Sequence, residues 1–93
     1  MNKTELFHKI YKKYGKEKCI LLVLEELAEL QQALCKNSNR DIENRDEILD
    51  EFADCLNIME YIQVVYDINN SELADYKEKK FQEKVLPKII EQL

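Results

Sequence analysis

The chain has 93 residues, 45% hydrophobic and 35% charged, with one glycine, one proline and a formal charge of −5. That length supports one domain around one core, and the scarcity of turn residues argues against a strand-and-turn fold and for amphipathic helices throughout. An acidic balance, with a pI near 4.9, argues against a protein that tracks nucleic-acid phosphates, which needs a basic face.

The first helix is expected from about Thr4, as N-cap, with Leu6, Phe7, Ile10, Tyr11 and Tyr14 towards one side and Gly15 as its end. A second runs from about Glu17 to Lys36, with Ile20, Val23, Leu24, Leu27, Leu30 and Leu34 as a broad apolar stripe that Asn37, Ser38 and Asn39 then break. A polar connection around Arg40 to Asn44 leads to a third helix through about Asp67, which carries Ile48, Phe52, Cys55, Leu56, Met59, Ile62 and Tyr66 and is closed by Asn69 and Asn70. Ser71 suits the N-cap of a fourth helix with Leu73, Tyr76 and Phe81, and Pro87 interrupts or restarts its end. The expectation is all-α: residues 1–93 as one domain, a compact four-helix bundle with short connections. Helices two and three are apolar around most of their circumference, so either the chain assembles as a dimer or higher oligomer, or these helices are central and covered within one chain.

Two pairs of carboxylates interrupt this apolar pattern. Glu26 with Glu29 and Glu51 with Asp54 share an i, i+3 spacing, which subtends only about 60° and places both members one turn apart on the same helix face. On a helical wheel Glu26 falls between Leu22 and Ala33 on one side and Cys19 and Leu30 on the other. Glu51 falls between Ile58 and Ile62, and Asp54 between Val65 and Tyr61. A carboxylate held among such neighbours needs a partner or a raised pKa, and four together repel one another. A divalent cation answers both difficulties, and hard Mg²⁺ suits an all-oxygen site that holds a phosphate-bearing substrate. The alternative is that these acids are exposed at helix ends or paired with Lys and Arg from other segments. Glu25, next to the first pair, is a candidate base or supporting acid, with a solvated surface acid as its alternative. Lys36, Lys77, Lys80 and Lys84 are the candidate phosphate contacts.

Other chemistries lack their residues. A di-iron bundle requires Glu-x-x-His pairs, whereas His8 is the lone histidine. A Gly-rich phosphate loop cannot be built around Gly15 alone. Cys19, Cys35 and Cys55 have neither a disulfide framework nor zinc spacing and read as buried, reduced thiols. The opening MNKTELFHKI has no apolar h-region and no run reaches membrane-span length, so a cytoplasmic protein without membrane or nucleic-acid-polymer partners is expected.

Glu25-Glu26-Leu27-Ala28-Glu29-Leu30, followed by Glu51-Phe52-Ala53-Asp54, resembles the EExxE…ExxD signature of MazG-like proteins of the all-α nucleoside triphosphate pyrophosphohydrolase superfamily. Tyr14-Gly15, Gln32-Ala33-Leu34 with Lys36, and Ile58-Met59 extend the resemblance over roughly residues 5 to 84. It implies an enzyme that cleaves a nucleoside triphosphate between the α and β phosphates, giving monophosphate and pyrophosphate, in nucleotide-pool house-cleaning. Glu26, Glu29, Glu51 and Asp54 would be the ligands of Mg²⁺, for which Mn²⁺ could substitute. Subunits of a homodimer or homotetramer would together complete each site. The competing readings are an acidic helical adaptor that binds another protein through an apolar face, and a nucleotide- or metal-binding sensor without turnover.

Overall fold

Apolar residues at helical spacing, with almost no glycine or proline to interrupt them, give a chain built of helices and connections alone. The computed structural model describes residues 1–93. Helix α1 spans Lys3–Tyr14 and is capped by Asn2, not Thr4: the Asn2 side-chain oxygen accepts the Glu5 N–H at 2.8 Å. Thr4 lies inside the first turn. Gly15 ends α1 with φ 85° and ψ 170°, a combination that is essentially confined to glycine, and its N–H donates to Tyr11 O at 2.9 Å. The next residue already begins α2, Lys16–Arg40.

Helix α2 runs through Asn37, Ser38 and Asn39, contrary to expectation. These residues are weak helix formers by only a few tenths of a kcal/mol each, and tertiary anchoring decides the boundary. Asn44 Nδ2 donates to Ala33 O at 2.9 Å and Asn37 Nδ2 to Ile42 O at 3.2 Å, while Asp41 takes the left-handed conformation (φ 52°) that stops the helix. Helix α3 spans Arg45–Val65, ending before Asp67, which is itself left-handed at φ 54°. Helix α4, Asn70–Lys80, is capped by Asn69, whose side chain accepts the Glu72 N–H at 2.7 Å; Ser71 is already helical.

Pro87 does not break the last helical segment. It has no N–H to give to the carbonyl four residues back. A π-helical turn over Phe81–Val85, in which the Leu86 N–H reaches Phe81 O, precedes α5, Leu86–Gln92, and the backbone stays helical from residue 70 to 92.

Helices α1, α2 and α3 pack on one another, α2 and α3 most extensively. Cys19 and Val23 from α2 and Tyr61 from α3 form the centre, flanked by Phe7, Tyr11, Leu27, Ile58, Ile62 and Val65. Phe7 meets Tyr61 edge-on, with ring centroids 4.7 Å apart. Lys3 ties α1 to α3 through Asn57 (2.9 Å) and Glu60 (3.3 Å). Of the three thiols, Cys19 and Cys55 are buried as expected, whereas Cys35 is exposed.

The segment from α4 to α5 packs on none of these three helices. One chain is therefore a three-helix body with a projecting helical arm, not the compact four-helix bundle expected from the sequence. Its radius of gyration, 16.3 Å, exceeds the roughly 12 Å of a compact chain of this length. The reason lies in the corner between α3 and α4. Ile68 N–H donates to Gln63 O (2.8 Å), and Gln63 Nε2 donates to Ile68 O (3.2 Å) and to Asn70 Oδ1 (2.8 Å), so the turn is fastened in an open direction. No helix of the chain is long and apolar enough to cross a membrane.

Candidate metal centre

Helices α2 and α3 are joined by a four-residue connection and run antiparallel. Two links between the helices record this, Glu26 to Cys55 and Lys36 to Glu47, because the residue number rises on α2 as it falls on α3, and a third holds Asn44 of the connection on α2. Glu26 O accepts from Cys55 Sγ (3.3 Å), Ala33 O accepts from Asn44 Nδ2 (2.9 Å), and Lys36 Nζ donates to Glu47 Oε1 (2.9 Å). This register sets the two acid pairs opposite each other.

Carboxylate oxygens of Glu26, Glu51 and Asp54 lie within 4.8 Å of one another. Glu29 is not one of the three whose oxygens meet, but lies near enough to raise the pKa values of both Glu26 and Glu51. No lysine or arginine pairs with any of the four: the ion pairs of the chain are Lys3–Glu60 and Lys36–Glu47. Glu26 Oε2 and Glu51 Oε2 are buried and have no hydrogen-bond partner.

Burial pushes the Glu26 carboxyl above its usual range, and Glu29, Asp54 and Glu25 push it further. Burial also raises Glu51, reinforced by Glu29, Asp54 and Glu26. Glu47, one turn earlier on α3, goes the other way, because hydrogen bonds from Lys36 and then Asn44 hold it below the usual carboxylate range. The protein thus supplies a cation to Glu47 and none to Glu51. Cys55, beneath the cluster, is raised by burial first and by the surrounding acids second, which keeps it a protonated thiol that can donate to Glu26 O.

Donor type and geometry both fit a hard divalent cation. Oxygens that share one octahedral ion with bonds of about 2.0–2.1 Å stand about 3–4.2 Å apart, so the cluster needs only small side-chain adjustments to close on an ion. Two orphaned carboxylate oxygens are the groups such an ion would satisfy.

The remaining candidates are placed differently. Glu25 is exposed and lies outside the cluster, close enough to act on Glu26 through its charge. Lys36 is bonded to Glu47. Lys77 and Lys80 lie on α4, which meets neither α2 nor α3 of the same chain, so one chain does not bring them to the carboxylates. Three contributors fall outside the residues expected from the sequence: Cys55 as a brace beneath Glu26, and Asn44 with Glu47 as the anchor of the α2–α3 connection. Asn44-x-x-Glu47 has the spacing of a helix-start pair, which is the one signal the sequence holds for that anchor. Comparison with protein-family models, curated proteins and solved structures finds no match to this chain.

Proposed function

We propose that the chain is a Mg²⁺-dependent nucleoside triphosphate pyrophosphohydrolase that cleaves between the α and β phosphates to give monophosphate and pyrophosphate. The observation that carries this reading is the meeting of Glu26, Glu51 and Asp54 from two helices, with two buried oxygens lacking any partner. The resemblance of Glu25 to Glu29 and Glu51 to Asp54 to the MazG-like signature supplies the reaction.

Glu26, Glu51 and Asp54 would hold the ion, with Glu29 beside them. Mg²⁺, or Mn²⁺ in its place, would neutralise phosphate charge and orient water at that point. Glu29 is exposed and acts on both Glu26 and Glu51, whereas Glu25 acts on Glu26 alone, which suits Glu29 better to take a proton from water at the ion. Lys36 is part-exposed and could exchange Glu47 for a phosphate. Lys77 and Lys80 would serve a site only across copies, consistent with a homodimer or homotetramer acting on the cytoplasmic nucleotide pool.

The test is a panel of canonical and modified triphosphates with Mg²⁺, assayed for pyrophosphate and orthophosphate separately. Release of pyrophosphate by the wild type and its loss in Glu51→Gln are expected. Binding without turnover would indicate a sensor, and absence of any metal or nucleotide response would indicate an adaptor.

A further inference from the structure

The net charge of −5 conceals a basic end. Residues 1–18 hold six lysines against two glutamates, and of these lysines only Lys3 has a carboxylate partner. Three elements bring the others together. Because α2 runs antiparallel to α3, its first residue, Lys16, lies beside Tyr66 at the end of α3, with Nζ 4.8 Å from the ring centroid. The one-residue junction at Gly15 puts Tyr14, the last residue of α1, at the same end, where the Nζ atoms of Lys13 and Lys18 stand 5.2 and 4.4 Å from its ring centroid. Lys9, Lys12 and Lys13 point about 120–180° away from the core-facing direction of Phe7 and Tyr11 by wheel arithmetic, so they extend the patch along the outer side of α1.

This end alternates free cations with aromatic surface. All five lysines are exposed, and Tyr14 and Tyr66 are 47% and 50% exposed. The hold of an exposed ring on an ammonium is weak, so a phosphate takes the lysine from the ring and uncovers a face on which a base can stack. A single strand supplies both groups at once. A lipid headgroup would use the lysines and leave the rings without a role, and a duplex keeps its base faces stacked inside. The acidic balance of the whole chain argued against a phosphate-tracking surface, but the field near a surface follows the local arrangement of charge.

We propose that this basic and aromatic end of the body binds single-stranded nucleic acid, with Lys9, Lys12, Lys13, Lys16 and Lys18 on the phosphates and Tyr14 and Tyr66 stacking bases. The site is separate from the carboxylates: Lys16 precedes Glu26 by ten residues on α2, about 15 Å along the helix. It stands whether or not those acids hold an ion.

Fluorescence anisotropy of a labelled oligothymidine of about 12 nucleotides, titrated with the full chain and no divalent cation, tests this apart from any nucleotide hydrolysis. Each lysine on a single-strand phosphate contributes about −0.7 to the salt slope, so five give about −3.5 and the affinity falls about hundredfold between 50 and 200 mM salt. Replacing Lys13 and Lys16 by Gln should lower the slope to about −2. The same charge removed from the arm, by Lys79→Gln with Lys88→Gln, should change nothing. Tyr66→Leu should weaken binding at least fivefold with the slope unchanged. Amide NMR shifts on the wild type need no variant, and are expected at residues 9–18 and 66. No binding at 50 mM salt, equal losses from the arm and patch variants, or shifts confined to the arm would overturn the site. Inorganic polyphosphate that competes as well as the oligonucleotide, with no effect of Tyr66→Leu, would reduce it to bare charge and overturn the stacking. Binding to phosphatidylserine vesicles but not to the oligonucleotide would assign the patch to a lipid surface and overturn it also.

Discussion

Replacing Glu51 by Gln should move the stability of the metal-free and metal-bound protein in opposite directions. Without metal, Glu51 is one of several carboxylates forced together, and its ionisation is opposed by burial and by Glu29, Asp54 and Glu26. The neutral amide keeps the shape and removes a charge, so the metal-free Tm rises. In the wild type, a cation that binds only the folded chain stabilises it by about 1.4 kcal/mol at ten times its Kd. A domain of this size gains about 4–8 °C per kcal/mol, which gives a Mg²⁺-induced rise of about 6–11 °C. If the substitution weakens binding tenfold at the same Mg²⁺ concentration, about 0.4 kcal/mol remains, and the rise falls to about 2–3 °C. Thermal melting of both proteins with and without Mg²⁺ reads this directly. Ionic strength must be matched with a monovalent salt, since screening alone relieves exposed repulsion. A lower metal-free Tm in Glu51→Gln would show that the acids do not repel one another there, and an equal Mg²⁺ shift in both proteins would show that Glu51 holds no ion.

The same carboxylates set a pH dependence. Glu26 and Glu51 are raised in the folded state, so the native chain holds protons that the unfolded chain releases, and metal-free stability falls as pH rises through that window. Melting in the absence of metal should therefore improve as pH is lowered from neutrality. It should then decline once Glu47, held low by Lys36, protonates and loses its contribution; a steady loss from neutrality downwards would contradict this. Tyr61→Phe should change urea stability by no more than about 1 kcal/mol, because the buried hydroxyl has no hydrogen-bond partner to lose. Tyr61→Ala should cost about 3–5 kcal/mol by leaving a cavity against Phe7 and Cys19. Gly15→Ala should cost about 1–3 kcal/mol from backbone strain alone, since nothing lies within 4 Å of the added methyl; a neutral result would show that the turn relaxes.

The acid pairs were legible in the sequence because i, i+3 spacing fixes a direction on a helix regardless of what the helix packs against. Their meeting was not, since it depends on the register of α2 against α3. That register is set by Asn44 on Ala33 O and by Lys36 on Glu47, contacts between residues with no periodic signature. The same contacts decide why Glu47 has a protein cation while Glu51, four residues on, has none. Helix existence followed from apolar periodicity, but the ends did not: Asn2, Asn69 and Asp41 compete with Thr4, Ser71 and Asn37 on nearly equal local terms, and tertiary geometry chooses. The direction of the arm was beyond reach for a related reason. It turns on three hydrogen bonds at Gln63, Ile68 and Asn70 and on the left-handed Asp67.

Whether the chain cuts between the α and β phosphates is decided by phosphorus NMR of a nucleoside triphosphate incubated with the full chain and Mg²⁺. One monophosphate and one pyrophosphate are expected for each triphosphate consumed, with both signals absent when Glu51→Gln replaces the wild type. Diphosphate with orthophosphate, or a triphosphate left intact across the whole panel, would contradict the proposed reaction.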